Sequence, residues 1–368
     1  MNMIKLTGKA AISAAAIAAT AIIPFAANAA WSPMSYVKQL NGVEWHIRID
    51  EDLHTASIGT NLTSVGIKDS AGTYAPNFAV VPALSGKWIL PEEFTIDGVS
   101  YQVTMIGNRA LMEGADVTSL TFPSGVGHLY NCVAYGRKKL KSLCFKGPAT
   151  VASGTQPTVT LSTEDGTGQV FAQCNALKTI FVGPNIKASN SVTHTPRFPN
   201  STGYTLFLPR NSGNMTWNSY TALGTNPNVI YYGPNEELEF QLGDTMVTAM
   251  VRTTGALTNL LNQVATFKND FGLDTRISVT NTLDLTGVTI DSTAVSGVTF
   301  DRLMFSAKTQ AQLNAILGAF PATTPISIDP TGLTENMVIP ETYNNVYVKT
   351  VPGVTIKRTV SGLMIIVK

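Results

Sequence analysis

Five short apolar segments of one common form recur between Val103 and Pro234, and this repeat limits the possible folds more than any other feature. Successive segments are 23, 37, 26 and 24 residues apart when the intervals are counted between their aligned apolar residues. These are Leu120, Leu143, Ile180, Leu206 and Ile230. A period of this size predicts a solenoid, because one turn cannot bury its own hydrophobic face and must stack on the next. A β-sandwich with similar strands is the alternative, but its strands would recur about every 8–12 residues. The segments are Ser119–Pro123, Ser142–Phe145, Thr179–Val182, Thr205–Pro209 and Val229–Tyr232.

The sequence around these segments repeats as well. Three segments close with Gly-Pro, at Gly147, Gly183 and Gly233, and proline is tolerated where the hydrogen-bond ladder of a strand ends. The longest interval contains a polar stretch rich in Gly and Thr over residues 150–168, which predicts a loop projecting from one turn. Before the segments, the spacing Ala110-Leu111-x-x-Gly114-x-x-Val117-x-x-Leu120 recurs as Val170-Phe171-x-x-Cys174-x-x-Leu177-x-x-Ile180.

Residues 43–234 resemble the BspA-like leucine-rich-repeat surface proteins. The motif over residues 171–180 is similar to the repeat core of that family, residues 89–111 to its entry unit, and residues 205–233 to its closing unit. Arg137 and Asn200 depart from the repeat core in the second and fourth repeats. The resemblance implies a leucine-rich-repeat solenoid with short parallel strands, and a role in adhesion or protein–protein binding at a cell surface.

The amino-terminal residues have the pattern of a cleavable signal peptide. Lys5 and Lys9 precede an almost wholly apolar run over residues 10–27, which ends in a small-x-small motif at residues 27–29. A retained membrane anchor is the alternative, but the run is short for a bilayer span. We therefore predict a secreted or cell-surface protein with no transmembrane segment in the mature chain. The predicted organisation is a signal peptide at 1–29, a β-strand entry or capping region at 30–102, the repeat solenoid at 103–234 and a C-terminal α/β domain at 235–368.

Charge and cysteine content argue against several classes of protein. Without Lys5 and Lys9, the chain has 23 basic and 24 acidic residues, whereas a nucleic-acid-binding domain usually has a basic excess. We therefore predict no nucleic-acid partner. Three cysteines without CxxC spacing indicate neither a disulfide framework nor a zinc site. A bridge between Cys132 and Cys144 is possible in an oxidising compartment, and Cys174 is predicted to be a buried small hydrophobic residue.

After Pro234 the pattern changes to alternating strands and helices. Apolar residues with helical spacing run from Ala256 to Phe267 and from Leu313 to Phe320. Strand-like segments flank each stripe, and strand–helix–strand order implies parallel neighbours. We therefore predict a β-rich α/β protein, in which this third is either a separate domain or an irregular extension of the solenoid.

The sequence contains none of the usual catalytic or cofactor motifs, such as a P-loop, a Gly-x-Ser-x-Gly elbow or a His-Glu-x-x-His helix. His46 and His54 lie near acidic residues 50–52, but acidic turns are far commoner than metal sites. A glycosidase needs two facing carboxylates, whose positions in space a sequence does not reveal. We predict no enzyme activity, no metal and no cofactor. The carboxylates available in the C-terminal third are Glu236, Glu237, Glu239, Asp291 and Asp301.

The predicted functional site is one face of the repeat sheet. In each segment the two flanking apolar residues should point inward, so the residue between them should point to solvent. Stacked aromatic rings on an open face would bind protein side chains or sugar rings. Two alternatives would remove this patch, namely a C-terminal domain folded over the face or a strand register shifted by one residue. The predicted column is Thr121, Cys144, Phe181, Phe207 and Tyr231, with Thr121, Phe181, Phe207 and Tyr231 as the binding residues.

These features together predict an exported, non-catalytic recognition protein that binds a protein or glycan ligand at the cell surface. One alternative is a glycan-binding or carbohydrate-active protein with its chemistry in the C-terminal third. The other is a structural component of the cell envelope.

Overall fold

A computed structural model gives the fold of the chain. It describes residues 35–60, 62, 80–81, 84–111, 116–130, 133–148, 158–161, 170–171, 173–188, 203–210, 228–291, 293–349, 352, 355–360 and 363–367. The predicted signal peptide, residues 1–29, lies outside the described residues.

The first sheet combines an antiparallel start with a parallel continuation. Its order is β1-β2-β3-β7-β9-β11-β13, with β4 beside β2 and β6 beside β7. The pairs from β3 to β13 are parallel, whereas β1, β2, β4 and β6 pair antiparallel with their neighbours. These strands are β1 (Ser35–Leu40), β2 (Val43–Asp50), β3 (Thr55–Ile58), β4 (Val80–Val81), β6 (Glu93–Ile96), β7 (Val99–Ile106), β9 (His128–Leu129), β11 (Thr158–Leu161) and β13 (Lys187–Ala188).

The second sheet contains the five repeated segments side by side and all running in the same direction. Its order is β15-β14-β12-β10-β8-β5, and every pair in it is parallel. The register follows the sequence repeat, because Ser142 lies opposite Ser119 on one side and Thr179 on the other. The strands are β5 (Ser85–Ile89), β8 (Asp116–Phe122), β10 (Ser142–Phe145), β12 (Thr179–Val182), β14 (Thr205–Pro209) and β15 (Asn228–Tyr232).

The chain alternates between these two sheets and encloses a first core between them. It passes from β7 to β8, then to β9, β10, β11, β12, β13 and β14, changing sheet at each step. Repeated positions therefore stack, as Phe122 does on Phe145 with ring centroids 4.8 Å apart. Phe171 packs against both rings, edge-on. The predicted burial of Cys174 is confirmed, since it lies fully within this core.

The C-terminal part forms a third sheet with helices between its strands. Its order is β16-β17-β18-β20-β21-β23, with β19 beside β20, and all pairs except β16 with β17 are parallel. The predicted parallel neighbours are therefore confirmed. The strands are β16 (Leu238–Leu242), β17 (Met246–Val251), β18 (Asp274–Val279), β19 (Leu283–Asp284), β20 (Thr299–Ser306), β21 (Ile326–Asp329) and β23 (Val346–Val348). A fourth, smaller sheet has the order β22 (Met337–Ile339), β24 (Ile356–Val360), β25 (Leu363–Val367).

The first predicted helix is two helices in the structure. They are α1 (Thr254–Leu261) and α2 (Val264–Phe271), and α3 (Gln310–Ala319) corresponds to the second predicted helix. The hydroxyl of Thr253 caps the start of α1 by accepting a hydrogen bond from the Ala256 amide. Gly272, with φ of 69°, ends α2 in the left-handed conformation that glycine adopts without strain.

A second core joins the second sheet to the C-terminal part. It includes the apolar faces of α1, α2 and α3 and the inward side chains of the third sheet. Cys144, Phe181 and Phe207 of the second sheet belong to the same cluster. The second sheet is therefore covered on both faces, as parallel sheets usually are.

Candidate binding surface

The aromatic column predicted as an open face is buried, so that prediction is wrong. Thr121 is 2% exposed, and Phe181 and Phe207 are 0% exposed. Their side chains do point away from the first core, as the alternation predicts. They are covered because α2 and β16 pack over this face. The ring of Phe181, for example, lies 5.1 Å from Phe267 of α2 and 5.6 Å from Phe240 of β16.

Tyr231 does not belong to the column, because the last strand pairs one residue away from the predicted alignment. Phe207 lies opposite Ile230, and Leu208 lies opposite Tyr231. Tyr231 therefore turns to the other side of the sheet and packs, partly buried, against the first core. The guanidinium carbon of Arg210 sits 4.1 Å from the centre of its ring.

Hydrogen bonds from the second sheet fix α2 in place over it. Ser119 Oγ donates to the carbonyl of Asp270 at 3.1 Å, and Ser142 Oγ donates to Asp270 Oδ2 at 2.7 Å. Thr179 Oγ1 donates to Gln263 Oε1 at 2.9 Å, at the start of α2. The three hydroxyls occupy equivalent positions on adjacent strands, so the covering helix contacts the sheet in register with the repeat.

Cys144 is a free buried thiol at this interface. The possible bridge to Cys132 involves a residue outside the described part of the chain. Burial raises the pKa of the Cys144 thiol to about 12. The pKa of Cys174 is also raised to about 12, mainly by burial, and its Sγ donates to the carbonyl of Ala134 at 3.1 Å. Both thiols are therefore neutral and poorly nucleophilic in the folded protein.

Stability should fall in alkaline solution because of these thiols. Their pKa is raised from an ordinary value of 9.0 in the unfolded chain, so their contribution is complete below about pH 9 and is lost as the pH rises towards 12. We expect the free energy of unfolding to decrease by about 1 kcal/mol per thiol for each pH unit above about 9. Urea titrations at several pH values measure this slope. Cys144→Ala should have a shallower slope than the wild type, and an unchanged slope would contradict the expectation.

The third sheet, in contrast, has one face that the described residues leave open. Side chains alternate along its strands, so that Val247, Ala249 and Ile277 point into the second core while their neighbours point out. The outward side chains are half-buried or exposed. We call this surface the open face. Its three rows, in strand register, are Gln241, Thr248, Arg276 and Thr299; Glu239, Met250, Ser278 and Arg302; and Met304, Ser327 and Tyr347.

A β-bulge brings an extra charged residue to the open face. The register between β18 and β20 shifts so that Ile277 faces Phe300 and Ser278 faces Arg302, which leaves Asp301 as an inserted residue. Asp301 and Arg302 are consequently both exposed. Bulges of this kind redirect side chains and occur often beside functional sites.

Most charges on the open face are paired. Arg276 Nε lies 3.6 Å from Asp301 Oδ1, and Ser278 Oγ donates to Asp301 Oδ2 at 3.2 Å. At the edge formed by β16, Arg252 Nη2 donates to Glu239 Oε2 at 2.8 Å. Arg302 has no ion pair within the described part of the chain, so it carries the excess positive charge of this surface.

Tyr347 is the large exposed ring of the open face. It is 65% exposed and lies on β23, the last strand of the third sheet. In the same row, the short side chain of Ser327 lies between Tyr347 and Met304, so no long side chain stands directly beside the Tyr347 ring on that side. The polar–apolar alternation of β18 and β20 could have revealed an open face from sequence. The bulge that exposes Arg302 leaves no comparable sequence signal.

The carboxylates considered for glycoside hydrolysis have other partners or lie apart. Glu239 and Asp301 are held in the ion pairs described above. Hydrogen bonds from Thr293 lower the pKa of Asp291, whereas a general acid needs a raised pKa.

No group of three potential metal ligands occurs among the described residues. In the turn near His46, the Asp50 carboxylate instead accepts a hydrogen bond from the Leu53 amide. A surface cleft of about 440 Å³ between residues 285–290 and α3 is lined, where described, by uncharged side chains.

No protein-family model and no curated protein matches the sequence. Two solved structures are similar to the chain. A leucine rich cell surface protein from Faecalibacterium prausnitzii A2-165 is 13% identical, with 89% of this chain and 97% of that chain covered and a TM-score of 0.24. A leucine-rich repeat protein from Bacteroides ovatus ATCC 8483 is 10% identical, with 86% and 97% covered and a TM-score of 0.22. TM-scores this low support no argument about fold or function.

Among the described residues, no helix is both long enough and apolar enough to cross a membrane.

Proposed function

We propose that the chain is an exported, non-catalytic recognition protein that binds a macromolecular ligand at the cell surface through the open face of its third sheet. In this proposal residues 1–29 direct export, and the two sheets that enclose the first core are the turns of a leucine-rich-repeat solenoid of the BspA-like type. Support for the solenoid comes from the path of the chain between β7 and β14, which alternates at each step between the parallel part of the first sheet and the second sheet.

The observation that carries the proposal is the open face itself. Parallel sheets are almost always covered on both faces. The second sheet of this protein follows that rule, because its two faces belong to the first and second cores. The third sheet has helices and the second sheet on one side and half-buried or exposed side chains on the other. A rigid sheet presents its side chains with little ordering cost on binding.

Substitution of small residues on the open face tests the proposal. The mature chain would be applied to an array of polysaccharides and extracellular proteins, and we expect binding to at least one class. Ser278→Glu and Ser327→Glu should abolish that binding, because a long charged side chain would stand in the middle of the surface. Thr342→Glu, at an exposed turn before β23 and outside the three rows of the open face, serves as the control and should bind as the wild type does.

Two results would contradict the proposal. If both face variants fold and bind like the wild type, the ligand does not contact the open face. If a bound polysaccharide releases reducing ends in proportion to the protein added, the chain is an enzyme and the non-catalytic role is wrong. Circular dichroism of each variant establishes that loss of binding is not loss of folding.

A further inference from the structure

We propose that the ligand of the open face is an acidic polysaccharide, whose carboxylate pairs with Arg302 while a sugar ring stacks on Tyr347. This inference rests on the proposed function, since it assigns a ligand class to the same surface. It starts from the charge balance of the face. Arg276 and Asp301 neutralise each other, as do Arg252 and Glu239, and Arg302 is left in excess.

The position of Arg302 suits an anionic group that arrives from solvent. The bulge at Asp301 puts the two charged side chains next to each other, but Asp301 already accepts from Ser278 and faces Arg276. Arg302 is exposed on the same strand. A guanidinium forms two parallel hydrogen bonds with a carboxylate, and such charge-assisted bonds are about twice as strong as neutral ones.

Tyr347 supplies a ring at a distance that one extended ligand can span. Met304 lies two residues after Arg302 on β20, and two strand spacings separate Met304 from Tyr347. The Cα atoms of Arg302 and Tyr347 are therefore about 12 Å apart, by the usual dimensions of a sheet. A ring that is 65% exposed presents an apolar surface for a sugar and a hydroxyl for its polar groups.

The rest of the surface favours a polysaccharide over a peptide. Protein interfaces centre on clusters of buried aromatic residues and arginines in pockets. The open face instead has Tyr347 as its large aromatic residue, with Ser327 beside it and further short hydroxyl side chains at Ser278 and Thr299. Hydroxyls both donate and accept hydrogen bonds, as sugar hydroxyls do, and short side chains let a flat ring approach the sheet.

Binding of defined polymers to the mature chain tests this inference. The probes are polygalacturonate, alginate and hyaluronate as carboxylate-bearing polysaccharides, methyl-esterified polygalacturonate as the neutral match, and poly-glutamate as an acidic peptide. We expect the chain to bind at least one of the acidic polysaccharides, more weakly at high salt, and to bind neither the methyl ester nor poly-glutamate. Arg302→Gln and Tyr347→Ala should each weaken binding by about tenfold, whereas Lys138→Gln, at an exposed cation in the first half of the chain, should not.

The outcomes separate this inference from the proposed function. Binding of poly-glutamate as tight as that of the polysaccharide would overturn it in favour of an acidic peptide. Equal binding of the methyl ester would show that the carboxylate is not recognised. If no acidic polysaccharide binds, while Ser278→Glu still abolishes binding to another ligand on the array, the ligand class is wrong and the open face remains the binding surface. If Ser278→Glu and Ser327→Glu bind an array ligand normally, both proposals fail.

Discussion

Replacing Phe181 with Ala should lower the free energy of unfolding by about 3–5 kcal/mol, the usual range for a buried aromatic residue. The Phe181 ring is fully buried and contacts Phe207, Tyr232, Phe240 and Phe267, which come from both the second sheet and the C-terminal part. Its removal would leave a cavity where the two halves of the chain meet. Urea denaturation of the wild type and the variant, followed by circular dichroism, measures the difference.

Tyr347→Ala is the matched control, because it removes a ring from the surface. Because Tyr347 is 65% exposed, loss of its ring should change the free energy of unfolding by about 0.5 kcal/mol or less. A Phe181→Ala variant as stable as this control would mean that the face of the second sheet is open in solution. That result would restore the aromatic column as a candidate binding site and remove the reason for placing the site on the third sheet.

The repeat in the sequence was sufficient to predict how the five segments pair, but not what covers them. The alternation within each segment separates Leu120 and Phe122 from Thr121, and the structure places these side chains on opposite sides of the sheet as predicted. Nothing in a period of 23–26 residues shows which partner lies on the outer side. The outer side is covered by the apolar stripe of α2, which lies more than eighty residues after Phe181 in the chain. The contact between Phe181 and Phe267 of this helix is therefore a tertiary one, which a local repeat does not predict.

The error at the last segment has a simple physical cause. Val229 and Ile230 are both apolar, so hydrophobicity alone allows either to align with Leu206. The structure pairs Leu206 with Val229, which makes the interval 23 residues and turns Tyr231 towards the first core. A shift of one residue reverses the direction of every side chain in a strand, and this one removed an aromatic ring from the predicted site.

The open face was partly predictable. In β18 the polar residues Asp274, Arg276 and Ser278 alternate with apolar or buried ones, which indicates a strand with one solvated face. The strand–helix–strand order further predicts parallel neighbours, and these are usually covered on both faces. The two signals conflict, and the sequence does not decide between them. The decisive contacts are long-range, because all three helices and the second sheet pack on the same side of the third sheet.

Gly183→Ala should destabilise the protein by about 3 kcal/mol, although it adds only one methyl group. Gly183 follows β12, and its amide donates to the carbonyl of Phe145 on the adjacent strand at 2.7 Å. A Cβ atom at this position would lie 1.9 Å from the carbonyl oxygen of Lys146, which is backbone and cannot rotate away. The neighbouring turn would have to move, and the ladder between β10 and β12 would be disturbed. The drop in thermal or urea midpoint measures the cost.

Gly318→Ala separates this steric effect from the general effect of replacing a glycine. Gly318 lies in α3 without a positive φ, and a Cβ there would meet nothing within 4 Å. Since alanine favours the helix, this variant should gain about 0.5–1 kcal/mol. A Gly183→Ala variant as stable as the wild type would mean that the strands ending at Gly147 and Gly183 are not stacked as closely as described. The close approach of the Lys146 carbonyl is what requires glycine at Gly183. Gly147 and Gly233 instead have positive φ values of 66° and 154°, so the same Gly-Pro pattern meets two different backbone requirements.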